Sequence, residues 1–183
     1  YLYNLLGLIL SEKKQPLEAL EYYNKGLEID PKNSMIYNNI GSIYKSMDNF
    51  SEAEKSYKKS IELDKNSAES YNNLGTLYVE TNNYESSIDC YKSAIDVNKN
   101  FLPAYYNLAN SYYNIGRFNE AKIYFLKTIA INPNFYSAHR NLSQIIKYDD
   151  KNSHFEELKK IFNKKNIPIE HKTEISFALG KAY

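Results

Sequence analysis

The sequence is poor in the residues that build covalent or metal-bound frameworks. Among its 183 residues are one cysteine, Cys90, and three histidines, His139, His154 and His171. A lone cysteine cannot form an internal disulfide. The histidines stand far apart, with no HExxH or clustered Cys/His spacing, so we expect no metal site. Because no neighbouring residue would activate its thiol, we interpret Cys90 as a packing residue.

An excess of charge of either sign is missing as well. The chain carries 23 basic and 22 acidic residues, which gives no electrostatic reason to expect binding to DNA, RNA or an anionic membrane. No apolar run approaches the ~20 residues that span a bilayer, and no basic and then apolar leader opens the chain. We therefore expect no nucleic-acid partner, no membrane and a cytoplasmic location.

Catalytic motifs are lacking too. The six glycines form neither a GxxxxGK[ST] nor a GxGxxG loop, which are the usual glycine-rich cradles for phosphates. Asp149 and Asp150 are adjacent, but two carboxylates in a polar stretch are typical of a solvated turn rather than of general acid and base catalysis. The sequence therefore predicts a protein that is not an enzyme and requires no cofactor.

What the sequence does contain is a repeat with a period of 34 residues. The segment Tyr-Asn-Asn-Ile-Gly at 37–41 returns as Tyr-Asn-Asn-Leu-Gly at 71–75 and as Tyr-Tyr-Asn-Leu-Ala at 105–109. Two further slots keep the same phase: a small residue at Gly7, Gly41, Gly75, Ala109 and Ser143, and an aromatic residue at Tyr23, Tyr57, Tyr91 and Phe125. A fixed period in this range indicates a stacked array of structural repeats, which usually binds other molecules rather than catalysing a reaction.

Each repeat is predicted to fold as a hairpin of two helices. Apolar residues in 36–46 follow the i, i+3, i+4, i+7 spacing of an amphipathic helix. Polar residues at 48–49 interrupt this pattern, and the same period resumes over 50–63, so a short turn joins two helices. A glycine in mid-helix costs about 1 kcal/mol relative to alanine. The recurrence of Gly41, with Ala53 small as well, therefore indicates helices that pack too closely to admit a side chain.

The repeat resembles the tetratricopeptide repeat (TPR), whose pattern is an aromatic residue, Leu-Gly, Tyr, then Ala, an aromatic residue and Pro. The closing proline is present as Pro31 and Pro133, with Lys65 and Lys99 in that slot between them. The resemblance covers residues 1–148 and implies four hairpins followed by the first helix of a fifth. The implied fold is all-α, a right-handed α-solenoid of stacked antiparallel helix hairpins, or TPR superhelix.

The end of the sequence, residues 149–183, breaks the register. We predict a degenerate second helix of the fifth hairpin over 154–163, followed over 168–183 by the first helix of a truncated sixth repeat, whose glycine falls 37 residues after Ser143. This tail is similar to a segment of bacterial TPR proteins that carry a C-terminal sulfotransferase-like domain, and we expect the chain to be a fragment. His139 stands in a slot that holds Tyr in the other repeats, and we expect it to be a packed structural residue.

A row of asparagines in the same phase is the strongest candidate site. The row is Asn39, Asn73, Asn107 and Asn141. At about 100° per residue, residues three and seven positions further on share this face, and among them we select Thr76, Asn110 and Asn114. An amide offers both a donor and an acceptor, so it matches a peptide group without reading its side chain. The row resembles the asparagine ladder of the O-linked N-acetylglucosamine transferases, which implies an extended peptide bound in a concave groove.

Two other interpretations of the asparagine row stay open. The side chains could bond neighbouring repeats to each other, or the row could reflect only the abundance of asparagine. The first hairpin carries Leu5 in the ladder slot, so the ladder begins at the second unit. At the adjacent inner position the repeats carry Asn4, Asn38, Asn72 and Tyr106. A basic clamp of the kind that holds the C-terminal carboxylate of heat-shock chaperones is therefore not expected.

These patterns favour a protein–protein interaction scaffold that binds an extended peptide in its concave groove. The alternative is the substrate-recognition TPR module of a larger transferase, sulfotransferase or O-GlcNAc-transferase-like, whose catalytic domain is absent from this sequence. A third hypothesis is weak self-association through exposed end helices. For it, the last helix would present three unpaired apolar residues to water, namely Ile175, Leu179 and Tyr183.

Overall fold

The chain is helical throughout the part that the structure describes. This computed structural model describes residues 1–148, 153–164 and 167–182, and within these ranges it contains eleven α-helices and no strand. The helices are α1 Leu2–Glu12, α2 Pro16–Ile29, α3 Ser34–Ser46, α4 Phe50–Leu63, α5 Ala68–Glu80, α6 Tyr84–Val97, α7 Leu102–Asn114, α8 Phe118–Ile131, α9 Tyr136–Ser143, α10 Ser153–Phe162 and α11 Ile169–Ala182. They fall into two compact units, Tyr1–Phe101 (unit 1) and Leu102–Tyr183 (unit 2). The predicted all-α class of antiparallel hairpins, the α-solenoid class, is confirmed.

Each of the first four hairpins turns through one residue in the left-handed backbone region. In unit 1 these residues are Lys14, Asp48 and Asn82, with φ of 59°, 57° and 58°, and in unit 2 Gly116 takes this place with φ of 77°. The next backbone N–H then bonds back into the preceding helix, as in the second hairpin, where residue 49 donates to the carbonyl of residue 44 at 2.9 Å. One left-handed residue therefore ends the first helix and reverses the chain.

Side-chain caps begin the helices that follow in unit 1. The side chains of Asn33, Asn49, Ser67 and Asn83 each accept a hydrogen bond from the backbone N–H three residues further on. These four residues therefore satisfy one otherwise unpaired donor at the start of each of α3, α4, α5 and α6. Because a cap of this type stabilises a helix by about 1 kcal/mol, the polar residue before each helix helps to fix the boundaries of the repeat.

Within each hairpin of unit 1, an aromatic ring packs against the glycine of the facing helix. A Cβ atom built on Gly75 would lie 2.7 Å from the ring of Tyr91. The equivalent pairs are Gly7 with Tyr23 and Gly41 with Tyr57, at 2.5 and 2.7 Å. All three rings are buried. The close packing predicted from the recurring glycine is therefore present, and the atom that a side chain would meet is a tyrosine ring carbon.

Successive hairpins of unit 1 stack through small residues of their second helices. Helix α2 packs against α3, and α4 packs against α5. The Ile36 side chain covers Gly26, where an added Cβ would lie 2.6 Å from Cδ1. One hairpin later the contact is polar, since the buried Ser60 hydroxyl donates to the carbonyl of Ser34 at 2.7 Å and lies 2.8 Å from the hydroxyl of Ser70. The same slots of the repeat thus hold the stack by either apolar or hydroxyl contacts.

The described residues of unit 2 form one regular hairpin and three further helices. Helices α7 and α8 form the hairpin, α9 packs against both α8 and α11, and α10 packs against α11. An apolar cluster joins α10 to α11, and its buried members are Leu158, Ile161, Ile175 and Ala178. The assignment of this region to a degenerate fifth hairpin and a truncated sixth repeat stays a prediction.

The expectation that the last helix presents its apolar residues to water is wrong. Ile175 is fully buried and Leu179 is half-buried, because α9 and α10 both lie against α11. Helix α10 supplies apolar surface that the repeat pattern did not predict. Tyr183 and the expected turn at Asp149–Asp150 lie outside the described residues. Across the ranges that the structure does describe, none of the helices has both the length and the apolar character needed to cross a membrane.

Candidate peptide-binding site

The asparagine row lies on the first helices of successive hairpins. In unit 1, Asn39 belongs to α3 and Asn73 to α5, and in unit 2, Asn107 belongs to α7 and Asn141 to α9. All four side chains are half-buried. Each stands two residues before the small slot of its repeat, which turns it about 200° around the helix from that slot. The helical period alone would turn the row toward solvent, and its half-burial shows that it lies at the border between packed and solvated surface.

In unit 1 the amide nitrogens of the row bridge neighbouring hairpins. Nδ2 of Asn39 donates to Oδ1 of Asn4 on α1 at 2.8 Å. Nδ2 of Asn73 repeats this contact one hairpin later, donating to Oδ1 of Asn38 on α3 at 3.1 Å. Asn38 is 5% exposed, so this second bond satisfies an acceptor that is largely shielded from water. The bonds between repeats that the sequence left open as an alternative are thus present.

In unit 2 the same amide nitrogen has a different set of partners. Nδ2 of Asn141 donates to the hydroxyl of Tyr106 at 3.1 Å and to Oδ1 of Asn110 at 2.9 Å, so both of its protons are used. Tyr106 occupies the inner position that holds asparagine in unit 1, and its phenol oxygen replaces the amide oxygen as acceptor. The bridge from α9 to α7 is therefore kept although its partner has changed.

These bridges use the nitrogen of each amide and fix its orientation. The hydrogen bonds found for the Asn39, Asn73 and Asn141 side chains among the described residues are all donated by Nδ2, and none is accepted by Oδ1. An amide oxygen can accept two hydrogen bonds, and the N–H of a peptide ligand is a suitable donor. A bridging role between repeats is therefore compatible with a ligand contact by the other end of the same amide.

Thr76, the predicted neighbour of the row in unit 1, forms a hydrogen bond with the buried Tyr91. Its hydroxyl donates to the carbonyl of Asn72 at 3.0 Å and accepts from the hydroxyl of Tyr91 at 3.2 Å. Ser42 makes the equivalent pair of contacts, to the carbonyl four residues before it and to Tyr57. Burial raises the pKa of both tyrosines to about 12, so the phenols stay protonated at neutral pH.

The other two predicted neighbours differ in exposure. Asn110 is half-buried, and its Oδ1 accepts the bond from Asn141. It corresponds to Thr76, and the ring opposite it in the register is Phe125, which has no hydroxyl to bond. Asn114 ends α7 and is exposed. A ligand can therefore reach Asn114 freely, whereas Asn110 belongs first to the bridge between α7 and α9.

A cavity of about 430 Å³ adjoins the row in unit 1, and no pattern in the sequence predicts it. Its lining residues are Ser11, Lys14, Pro16, Ser42, Ile43 and Ser46. Ser42 and Ser46 share the ladder face of α3, whereas Lys14 belongs to the turn between α1 and α2, and Pro16 begins α2. The cavity therefore brings hydroxyl groups of the ladder face of α3 close to a lysine of the turn. The left-handed turn at Lys14 could not be predicted from a lysine in the sequence.

Cys90 and His139 behave as the sequence predicts. Burial raises the pKa of the Cys90 thiol to about 12, which leaves it protonated and unreactive at neutral pH. His139 is fully buried. His139 and His154 are far apart in the sequence but adjacent in the structure, where their rings stack with centroids 5.2 Å apart. No group of three or more potential metal ligands occurs among the residues that the structure describes.

Comparison with known proteins identifies the repeat. Models of the tetratricopeptide repeat match residues 33–100 in one case and residues 1–33 and 103–135 in another. These models describe a repeat and not a catalytic domain. No curated protein sequence matches the chain. The similarity of the tail to a segment that precedes a sulfotransferase-like domain receives no support from these matches.

Solved structures share the fold over nearly the whole chain. A crystal structure of MamA is 27% identical, with a TM-score of 0.71, and the match covers 98% of this chain and 90% of that one. YrrB is 22% identical, with a TM-score of 0.69 and coverage of 97% and 89%. PilF of Pseudomonas aeruginosa is 18% identical, with a TM-score of 0.76 and coverage of 99% and 75%. The last two similarities concern the fold alone.

The family assignment rests on agreement between the matches and the geometry. The two family models together match more than half of the chain, and the matched residues form hairpins with a glycine or alanine facing a buried aromatic slot. The chain belongs to the tetratricopeptide repeat family.

Proposed function

We propose that the protein is an interaction scaffold that binds an extended peptide through the asparagine row. The amides of Asn39 and Asn73 would serve in unit 1, and those of Asn107 and Asn141 in unit 2. The observation that carries the proposal is that the nitrogen and the oxygen of each bridging amide in unit 1 are available for different partners. Its nitrogen is engaged by the neighbouring hairpin, whereas its oxygen is left as an oriented acceptor for a ligand N–H.

The spacing of the row suits an extended ligand. Packed helices lie about 8–10 Å apart, and an extended peptide advances about 3.3 Å per residue. Successive asparagines such as Asn39 and Asn73 would therefore meet about every third peptide residue. Asn114 would add contacts to peptide carbonyls or side chains. Thr76, whose proton is engaged by the carbonyl of Asn72, could only accept a hydrogen bond from the peptide, and Asn110 would act mainly by holding Asn141. Contacts to the peptide backbone predict weak sequence selectivity along the row.

The similar structures support a protein-binding role in general terms. YrrB, one of these TPR proteins, has an unusual peptide-binding site. In unit 1 of the present chain, the cavity lined by Ser42, Ser46 and Lys14 would receive a ligand side chain beside the Asn39 rung. Lys14 favours an acidic side chain at that point, because a carboxylate can accept a charge-assisted hydrogen bond from its ammonium group.

A pair of double variants tests the proposal. Asn39→Ala with Asn73→Ala removes the two bridges of unit 1 and both ligand-facing oxygens. The matched control, Asn4→Ala with Asn38→Ala, removes the same two bridges but keeps the oxygens of Asn39 and Asn73. Phage display against the 183-residue chain would select extended peptides, and fluorescence anisotropy would then measure their affinity for each variant.

We expect the first double variant to bind the selected peptides at least about fivefold more weakly than the control, since each of the two lost hydrogen bonds contributes about 0.5–1.5 kcal/mol. Equal affinities for the two variants would show that the asparagines are structural. Enrichment of no peptide at all would refute the scaffold proposal for these surfaces. Circular dichroism at matched temperatures would establish that both variants keep their helix content.

A transferase module remains the alternative for the same surface, with the catalytic domain outside this chain. No feature of the described residues favours it over a scaffold, and the variants above would lower the binding of a transferase substrate in the same way. Turnover of a bound peptide would distinguish the two functions, because a scaffold leaves its ligand unchanged.

Self-association through α1 is a separate proposal, because that helix carries exposed apolar side chains. Leu2, Leu5, Leu8 and Ile9 are between 40% and 63% exposed. In the second repeat, the slots of Leu5 and Leu8 hold Asn39 and Ser42. In α1, leucines thus replace the polar residues of the ladder positions. These leucines favour contact between α1 and another apolar surface, which the α1 helix of a second copy of the chain provides.

A further inference from the structure

Three side chains of unit 2 form a buried chain of hydrogen bonds, which we call the imidazole relay: Tyr148, His154 and His139. The hydroxyl of Tyr148 lies 2.9 Å from Nδ1 of His154, and Nε2 of His154 lies 2.9 Å from Nδ1 of His139. Nε2 of His139 lies 3.0 Å from the backbone carbonyl oxygen of Pro133. His139 and His154 are 0% and 6% exposed, so water does not substitute readily for any of these partners.

The carbonyl at one end of the relay fixes the proton positions along all of it. A carbonyl oxygen can only accept, so Nε2 of His139 must carry a proton. A neutral imidazole has one N–H, which makes Nδ1 of His139 an acceptor and Nε2–H of His154 its donor. Nδ1 of His154 must then accept from the hydroxyl of Tyr148. All three hydrogen bonds therefore run in one direction, from Tyr148 to Pro133.

The relay joins segments where the 34-residue register is lost. Pro133 precedes α9, His139 lies on α9, Tyr148 follows it, and His154 lies in the first turn of α10. In the first four repeats, the slot of His139 holds a tyrosine: Tyr3, Tyr37, Tyr71 and Tyr105. The fifth occurrence alone places an imidazole there. The relay is thus a polar connection between α9 and α10 at the place where regular hairpin packing is replaced.

We propose that the imidazole relay is a proton-sensitive latch, which holds α10 against α9 while both histidines are neutral and releases α10 when they take up protons. Release of α10 would expose the apolar cluster that α10 shares with α11. Leu158 and Ile161 on α10 and Ile175 on α11 are buried in that cluster. Acidification would therefore expose to water the apolar cluster of unit 2 that is buried at neutral pH.

Hydrogen-bond geometry explains why the latch responds to protons. A first proton can bind at Nδ1 of His154 without breaking the relay. Protonated His154 still donates from Nε2 to Nδ1 of His139, and it donates from Nδ1 to the Tyr148 oxygen once the tyrosine hydroxyl has rotated. The pair then buries one positive charge. A second proton leaves two N–H groups pointing at each other across 2.9 Å, between two stacked cations. The two imidazoles therefore titrate as a coupled pair, and the doubly protonated pair cannot keep the relay.

The pKa values of both histidines are lowered, which is the direction that the latch requires. Burial lowers the pKa of His139, and burial together with the neighbouring His139 lowers the pKa of His154 to about 4. Because the folded pKa lies below the value of the free side chain, about 6.5, the stabilisation is complete above pH ~6.5. It is lost as the pH falls toward about 4, since the released state binds more protons.

The charges around the relay come from four segments. Lys122 of α8 lines the same cavity of about 150 Å³ as His154. Glu157 of α10 favours protonation of His139, whereas Lys164, beyond the end of α10, opposes it. On α11, Glu174 bonds to Ser137 of α9, and His171 packs on Tyr136. Among the described residues, one acidic and two basic groups lie around the relay, and burial is the main reason that its protonation is unfavourable at neutral pH.

Hydrogen exchange with a matched pair of variants tests the proposal. His154→Gln keeps an amide N–H that can donate to Nδ1 of His139 but cannot titrate. His171→Gln removes a histidine from α11 without touching the relay. Protection factors of the α10 amides, corrected for intrinsic exchange, would be compared between pH 7.5 and pH 5.0 in the 183-residue chain.

For the unmodified chain, we expect α10 protection to fall by about 30-fold through His154 alone, the factor given by pKa values of about 6.5 released and about 4 folded. The His171→Gln variant should show the same fall in α10 protection. In His154→Gln, the part of the fall that comes from protonation of His154 should be absent. An unchanged pH dependence in His154→Gln would overturn the proposal. So would α10 protection that falls no more than that of α3 to α6.

The tautomers provide a test that needs no variant. Ring ¹⁵N shifts at pH 7 should show Nε2–H tautomers for both His139 and His154. If His154→Gln does not fold, these shifts still decide the matter. A protonated ring at pH 7, or an Nδ1–H tautomer at either histidine, would refute the relay and the latch with it. Peptide binding by unit 1 does not depend on this result.

Discussion

Gly75→Ala is the substitution that best tests why the repeat keeps a glycine in the middle of its first helix. Gly75 lies in α5 opposite Tyr91, which is 1% exposed. The added methyl group would sit 2.7 Å from the ring, well inside normal carbon contact. The ring cannot retreat freely, because its hydroxyl is bonded to Thr76 at 3.2 Å. Either the ring or the helix must therefore move by several tenths of an ångström.

Two opposing effects set the size of the change. Replacing a mid-helix glycine with alanine stabilises a helix by about 1 kcal/mol. Overpacking a well-filled core costs about 1–3 kcal/mol. The net expectation is a loss of up to about 2 kcal/mol in the free energy of unfolding. Gly180→Ala is the matched control, since Gly180 also lies in a helix but a methyl group added there would meet no atom within 4 Å. That variant should gain close to the full 1 kcal/mol.

Urea denaturation followed by circular dichroism would measure both variants against the unmodified chain. We expect the two substitutions to shift the unfolding midpoint in opposite directions, or at least to differ by about 1–3 kcal/mol. If Gly75→Ala stabilised the protein as much as Gly180→Ala, contact with the Tyr91 ring could not be the reason for the glycine.

A double-mutant cycle would show whether the tyrosine hydroxyl holds the ring in place. Tyr91→Phe removes the bond to Thr76, and the register already pairs Ala109 with Phe125 in unit 2. We therefore expect Gly75→Ala to cost at least about 0.5 kcal/mol less when Tyr91 is phenylalanine, a coupling typical of residues in contact. Strict additivity of the two substitutions would contradict this account of the packing.

Two further predictions concern exposed and buried side chains of unit 1. Leu5→Asn with Leu8→Ser, which installs the residues of the second repeat, should lower the apparent mass seen by light scattering at high protein concentration. Leu17→Asn, at an exposed leucine of α2, should not, and a monomeric unmodified chain would refute self-association. Because burial raises the pKa of Cys90 to about 12, its thiol should react with a disulfide reagent at pH 8 at least about tenfold more slowly than in urea. Equal rates would contradict the packing role.

The sequence was sufficient to predict the regular hairpins, because each boundary is signalled more than once. The expected helix over 50–63 coincides with α4, and the interruption at 48–49 coincides with the turn. Here the apolar period, the polar cap and the turn residues all favour the same boundary. The left-handed backbone of Lys14 and Asp48 carries no such signal, since neither residue type requires it. Its recurrence every 34 residues becomes evident only from the geometry.

The sequence predicts which residues share the candidate face, but it does not predict which residues they contact. A rotation of about 100° per residue locates Asn39 and Asn73 on one face, whatever lies beside them. The partner of each amide depends on the offset between stacked hairpins, which brings Asn39 to Asn4 and Asn73 to Asn38. That offset is a property of side-chain packing between repeats. It does not follow from the period within one repeat.

The imidazole relay marks the point where prediction from a repeat reaches its limit. Register identifies His139 as a substitute for a core tyrosine, and that expectation is met by its complete burial. The partner of His139 is His154, 15 residues away and beyond the last residue that keeps the register. A periodic pattern constrains only positions that share its phase, so it is silent about contacts between an in-phase helix and an out-of-phase one. The chemistry specific to this chain is therefore expected where the repeat fails, and the latch proposed for α10 lies at that boundary.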